Sequence, residues 1–166
     1  FCDNYLEIVK DRLYNADNYS GEEVASAKYA LYNCLLGILK MFAPFVPHIT
    51  EETYQLFFAK EESKKSIHNS EWPVENKEWE NKNALESGDA AIAVISAIRI
   101  YKTKKQLSPN APLKEVVVSE KLKSVLEPVA GAVQCAMKVE NVSFSDVKEV
   151  TEEFEFGDGM YGIKVQ

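Results

Sequence analysis

Cysteine and histidine are scarce in this chain. There are three cysteines, Cys2, Cys34 and Cys135, and two histidines, His48 and His68, in 166 residues. They are widely spaced and no C-x-x-C pair occurs, which excludes a sequence-encoded zinc finger and points to a reducing, cytoplasmic setting. No run approaches the ~20 apolar residues that a membrane span requires, because Lys40, Pro44 and Pro47 break the longest stretches. A cationic segment followed by an apolar one, the mark of a signal peptide, is missing. Also missing are a Gly-rich phosphate loop, a paired His/Cys set and a nucleophile elbow, so the sequence offers no catalytic or metal-ligating residues. Basic charge is in deficit, with 19 Lys and Arg against 26 Asp and Glu and a net charge of −7. That excludes a polybasic nucleic-acid binder while leaving room for a local basic stripe.

What remains is ordinary globular composition, 46% hydrophobic and 27% charged. A chain of this length buries about 68–70% of its unfolded surface, so a core forms without metal or disulfide. The chain opens Phe-Cys-Asp-Asn-Tyr-Leu-Glu with no initiator Met. It reads as an excised fragment, with any catalytic centre expected outside it.

Helical periodicity dominates residues 1–112. Leu6, Val9 and Leu13 form one stripe over residues 1–14. Ser20 stands three before Glu23, the capping-box pattern that opens a helix. Val24, Ala27, Leu31, Cys34, Leu35, Ile38, Leu39 and Phe42 then give the strongest periodic signal. The two prolines of Ala43-Pro44-Phe45-Val46-Pro47-His48 demand a turn. Thr50 is the expected N-cap of a third helix running to about residue 60, with Ile49 packing on Tyr54 as a staple. Residues 61–83 read as a long polar connection anchored by Trp72 and Trp79. A fourth helix, 84–106, carries Leu85, Ile92, Ile95, Ile98 and Tyr101 on its apolar side, until Ser108-Pro109-Asn110-Ala111-Pro112 stops it.

Beyond residue 112 the period changes. Val116-Val117-Val118 is a β-branched strand, residues 121–132 are helical, and Val139, Val142 and Phe144 mark a second strand. Val150 to Val165, turning at Gly157-Asp158-Gly159, reads as a hairpin. The expected fold is mainly α: a four-helix antiparallel bundle over 1–112, then a small α+β unit over 113–166.

Few residues carry chemistry. His48 beside a proline turn reads as a packing or capping residue, Glu51 and Glu52 as first-turn carboxylates answering the helix dipole, and the cysteines as core. Arg99, Lys102 and Lys105 recur every three residues near a helix end, a stripe roughly 120° wide that could follow a phosphate backbone or simply face solvent. Lys104 stands off it. Lys10 and Arg12, with Tyr14 and Tyr19, form a second, weaker cluster in which aromatics could stack on unpaired bases.

Several segments resemble one family. Phe1-Cys2-Asp3-Asn4-Tyr5-Leu6-Glu7, continuing through Lys10 and Arg12-Leu13-Tyr14, resembles the opening helix of the anticodon-binding domain of valyl-tRNA synthetases. Residues 39–54, with Ala43-Pro44-Phe45-Val46-Pro47-His48-Ile49-Thr50-Glu51-Glu52, are similar to the turn and third helix of the class I synthetases for Val, Ile and Leu. Ile67-His68, Trp72-Pro73, Ala97-Ile98-Arg99, Lys102, Lys105 and residues 107–113 extend the resemblance, which covers about residues 1–113.

The resemblance implies a module that binds the anticodon stem-loop of valine tRNA. It implies contacts from Lys10, Arg12, Arg99, Lys102 and Lys105, and stacking of Phe1 on an anticodon base. The complete enzyme would join valine to its tRNA with ATP and magnesium in a catalytic domain bearing H-I-G-H-like and K-M-S-K-S-like motifs. Neither motif occurs here, so the chain itself is expected to need no cofactor, to be catalytically inactive and to be monomeric. The rival readings are the equivalent isoleucyl or leucyl module, and a helical protein-interaction domain without RNA binding.

Overall fold

A computed structural model describes residues 4–147 and 149–165. The chain packs as two compact units. One is Asn15–Glu80; the other joins Phe1–Tyr14 to Asn81–Gln166. No helix among the described residues is long and apolar enough to cross a membrane.

The Asn15–Glu80 unit contains α2 (Gly21–Phe42), α3 (Pro47–Phe57) and the single turn α4 (Ala59–Glu62), numbered after α1 (Tyr5–Tyr14) in the other unit. The capping box opens α2 as expected. Ser20 Oγ accepts from the Glu23 amide at 3.2 Å, and the Glu23 carboxylate accepts from the Ser20 amide at 3.0 Å. The buried face of α2 differs from the expected one. Leu36, Leu39 and the following Ala43 pack with Tyr54, Phe58 and Ile67, whereas Cys34, Leu35 and Phe42 are exposed. This helix is apolar on several sides, so its stripe alone does not choose the face.

α3 starts earlier than Thr50. Pro47 takes the first turn, where its missing N–H is not needed. Thr50 is buried within the helix, its hydroxyl donating to the Val46 carbonyl at 3.0 Å. No Ile49–Tyr54 staple forms: Ile49 is exposed, and Tyr54, wholly buried, stacks on Phe58 and donates to the Lys64 carbonyl. The 61–83 connection is only partly irregular, with short 3₁₀ turns at Ile67–Asn69 and Lys77–Trp79. Trp79 meets Tyr29 edge-on, but both tryptophans stay exposed rather than anchoring a core.

The second unit holds α1, the long α5 (Lys82–Lys104) and the C-terminal elements: β1 (Leu113–Ser119), α6 (Lys123–Leu126), α7 (Ala130–Met137), β2 (Val139–Ser145), β3 (Glu152–Phe156) and β4 (Gly159–Val165). The sheet order is β2-β1-β4-β3. β1 and β2 are parallel, Val116 facing Val142, and α6 and α7 form the crossover such a pair needs. The expected hairpin is present, with Phe156 paired to Gly159 and Gly157 at φ +58° in its two-residue loop. Glycine at the first loop position suits a turn that matches strand twist.

The mainly α architecture with a C-terminal α+β segment is thus as read from the sequence, but residue 112 is not a packing boundary. Ala90, Ala91, Val94, Ile95, Ala97 and Ile98 of α5 share one core with Val116 and Val118 of β1, Phe154 of β3 and Ile163 of β4. The small residues let the helix lie close to the sheet; Leu85, expected on the apolar side, is exposed. Of the α1 stripe only Val9 is fully buried.

α5 ends in a Schellman-type turn. The Leu107 amide donates to the Lys102 carbonyl at 2.8 Å and the Gln106 amide to the Thr103 carbonyl at 3.0 Å. Gln106 sits at φ +55°, where a side chain is strained. Gln106→Gly is expected to raise stability by about 0.5–1 kcal/mol, read as a higher denaturant midpoint with unchanged slope.

Candidate nucleic-acid interface

The basic stripe near the end of α5 does not face solvent as a set. Arg99 is half-buried and donates to the Asn4 side chain at 3.3 Å. Lys105 is exposed at the helix C-cap. Lys102 is only 2% exposed. Its ammonium donates to the carbonyls of Pro109, 2.9 Å away, and Met137, 2.7 Å away. It therefore clips the exit loop of α5 to the last residue of α7, where a positive charge also meets the negative end of the helix dipole. Burial pushes the Lys102 ammonium below its ordinary pKa.

Lys102 is thus removed from the surface phosphate track expected of it. The signal was present in the sequence: Lys102 follows Ile95 and Ile98 at i+7 and i+4, on the core face of the helix. Lys104 pairs with the buried Glu152 carboxylate at 2.7 Å.

The second basic cluster is distributed along α1. Lys10 is exposed and paired with Glu7, Arg12 is half-buried, and Tyr14 is exposed. Phe1 and Cys2 lie outside the described residues. Cys34 is exposed and Cys135 half-buried, so neither is a core residue in the sense expected.

α1, α5, the α5 exit loop and α7 together enclose a cleft of about 560 Å3. Arg99, Lys102 and Thr103 form one wall, Glu7 another, and Pro109 and Asn110 the lip. Ala136 and Met137 contribute apolar surface. Periodicity could not show this cleft, because it assembles residues far apart in the chain. Among the described residues no group of His, Cys, Asp and Glu could hold a metal ion.

In the Asn15–Glu80 unit, Glu51 is a structural anchor and not the first-turn carboxylate expected, because α3 begins at Pro47 and has no acidic residue in its first turn. It accepts from Gln55 at 2.7 Å, from the Ser66 hydroxyl at 2.8 Å and from the Ile67 amide at 3.0 Å. Partial burial pushes its pKa up, but the bonds from Gln55, Ser66 and Ile67, with nearby His68, outweigh it and hold the pKa below the ordinary value. A depressed carboxyl pKa contributes stability above the unfolded pKa that is lost as pH falls through the folded one. Glu51→Gln is therefore expected to cost about 1–2 kcal/mol at pH 7. It should also flatten part of the acid limb of the stability–pH curve below about pH 4.5. An unchanged acid limb would show that the carboxylate is not held in this way.

Against this geometry, the family described as the anticodon-binding domain of tRNA ligase matches residues 1–118. The match runs through α5 and ends within β1. A valine–tRNA ligase from Thermococcus kodakarensis is 39% identical over 135 residues, covering 78% of this chain and 15% of that protein. One from Rickettsia canadensis is 34% identical over 146 residues, 85% of this chain and 18% of that protein. One from Haloarcula marismortui is 34% identical over 163 residues, 98% of this chain and 16% of that protein. The chain therefore spans less than a fifth of the length of these curated relatives.

Proposed function

Since the chain belongs to the anticodon-binding domain family of tRNA ligases, we propose that it is the module with which a valine–tRNA ligase grips the anticodon stem-loop of its tRNA. The carrying observation is the family match over residues 1–118, together with similarity to valine–tRNA ligases over up to 98% of the chain. Valine activation with ATP and magnesium, and its transfer to tRNA, belong to the parts of such an enzyme that this chain does not span. The chain alone forms no valyl-adenylate and works in the cytoplasm as a monomer.

Arg99, Lys105, Lys10 and Arg12 contact the RNA backbone, and Phe1 stacks on an anticodon base. RNA sequence is read mostly in unstacked loops, and an anticodon loop is such a target. Phosphate contacts position the RNA without specifying it. A net charge of −7 limits the affinity of the module on its own and suits an auxiliary grip within a larger interface.

The test is binding of tRNA at several salt concentrations by the complete ligase and by this chain. Lys105→Ala should weaken valine tRNA and an unrelated tRNA by similar factors and lower the salt slope by about 0.7. Phe1→Ala should weaken the cognate anticodon more. An unchanged affinity and slope for Lys105→Ala would make the exposed basic residues an ordinary solvated face.

A further inference from the structure

The loop that leaves α5 is held from inside the fold. None of residues 105–112 has a buried side chain, so apolar packing does not fix this stretch. Exposed loops without such packing are the parts of a fold that open most easily. Its two ends are tied through the backbone: the Leu107 amide donates to the Lys102 carbonyl, and the Leu113 amide to the Lys138 carbonyl at 2.9 Å. Between them the Ala111 amide donates to the Ser108 carbonyl at 2.9 Å. That bond closes a turn within the loop without fastening it to anything else. Among the described residues, the bond that fastens residues 108–112 to the rest of the unit runs from the Lys102 ammonium to the Pro109 carbonyl.

Lys102 therefore grips the loop twice. Its carbonyl holds the start and its side chain holds the middle, while a second ammonium N–H sets both against the end of α7 through Met137. Lysine suits this task, because its stem can be buried and its charged head bonds carbonyls more strongly than a neutral donor would. The loop it holds has polar groups to present. Lys105, Gln106, Ser108 and Asn110 are all exposed along it.

We propose that Lys102 is a positioning residue for RNA binding: without touching the RNA, it holds residues 105–112 in one conformation, so that Lys105 meets the phosphate backbone already in place. The inference rests on the RNA-binding reading above and adds to it a residue that acts through another. Ordering a mobile loop at the moment of binding costs affinity, and a loop ordered beforehand avoids that cost.

Two variants loosen the loop by different routes. Lys102→Met removes the clip together with its charge. Pro109→Gly combined with Pro112→Gly keeps the ammonium and gives the loop more backbone freedom. In the 15N-labelled 166-residue chain, either change should lower the backbone order parameters of Gln106, Ser108 and Asn110 from about 0.85 to below about 0.6, with those of β1 unchanged. In the complete ligase, either should weaken binding of valine tRNA about three- to tenfold at an unchanged salt slope, because the phosphate contacts still form once the RNA is bound. In a Lys105→Ala background each should cost less than about twofold, since the group that the loop presents is gone.

A salt slope lowered by about 0.7 in Lys102→Met would make Lys102 a direct phosphate contact. Full affinity despite a loosened loop would leave it a stability element alone. Either result overturns the proposal, as does a loop that stays ordered in both variants. Should Lys102→Met not fold, the proline pair decides. The RNA-binding reading fails by a different result: Lys105→Ala with no effect on affinity or slope in the complete ligase removes the contact, and this inference with it. Lys105→Ala with the expected effect, beside loosened variants with none, strikes this inference and leaves that reading standing.

Discussion

Leu36→Ala is expected to cost about 2–5 kcal/mol of unfolding free energy, and Leu35→Ala less than about 1 kcal/mol. The two residues are neighbours of identical chemistry. Leu36 is 6% exposed, packed among Leu39, Ala43, Tyr54, Phe58 and Ile67. Truncating it removes buried methyl groups and leaves a cavity between two helices that only partly collapses. Leu35 is 40% exposed, so its truncation returns little buried surface to water.

The measurement can be made specific to the Asn15–Glu80 unit. The chain's two tryptophans, Trp72 and Trp79, both lie in it, so denaturation followed by tryptophan fluorescence reports that unit. Equal losses at the two positions would show that α2 is rotated by about 50° from the observed orientation, which sets both leucines equally far from the middle of the buried face.

That pair also shows where sequence periodicity runs out. The capping box at Ser20 and Glu23 and the hairpin at Gly157 were legible because each is a local pattern with one geometric solution. The face of α2 was not, because Leu31, Cys34, Leu35, Leu36, Ile38 and Leu39 spread apolar groups over about 200° of its circumference. The choice among them is made by Tyr54, Phe58 and Ile67, which the chain brings up only after the proline turn. α5 misleads in the opposite way. Ile95 and Ile98 of its expected stripe are buried in the shared core, yet Ala90, Ala91 and Ala97 join them there, and their weak hydropathy hides that contact in the sequence.

The same logic applies to the candidate site. Arg99, Lys102 and Lys105 were found because charge recurs every three residues. A three-residue recurrence turns backward by about 60° at each step on a helix, so the three do not share an environment. Glu7, Asn110 and Met137, far apart in the chain, complete the cleft only in the folded unit. Glu51 was visible as a helix-start carboxylate, but its bonds to Ser66 and Ile67 depend on the fold of the 61–83 connection.

Lys102→Met is expected to lower the stability of the unit containing the sheet by about 2 kcal/mol at pH 7. Methionine keeps most of the stem's length and packing, so the loss isolates the polar end. The buried carbonyl of Met137 and the partly buried one of Pro109 lose their donor, and an unsatisfied buried group costs roughly 1–3 kcal/mol. Removing a buried charge offsets part of that. Both tryptophans lie in the other unit, so the loss is read from amide exchange of α7 and β1.

The pH dependence gives the sharper signature. The folded pKa of Lys102 is depressed by burial, and its ordinary value is 10.5. Below the folded pKa both states carry the proton and the burial cost is fully present. As pH rises from there toward 10.5, the folded chain releases the proton while the unfolded chain still holds it, so folding gains stability. A neutral amine retains two N–H groups, the number the two carbonyls require. The stability gap between the wild-type chain and Lys102→Met should therefore widen as pH rises through this window. A gap that narrows would show that the charged ammonium is the stabilised form, and no gap at pH 7 would mean that water replaces the lysine at both carbonyls.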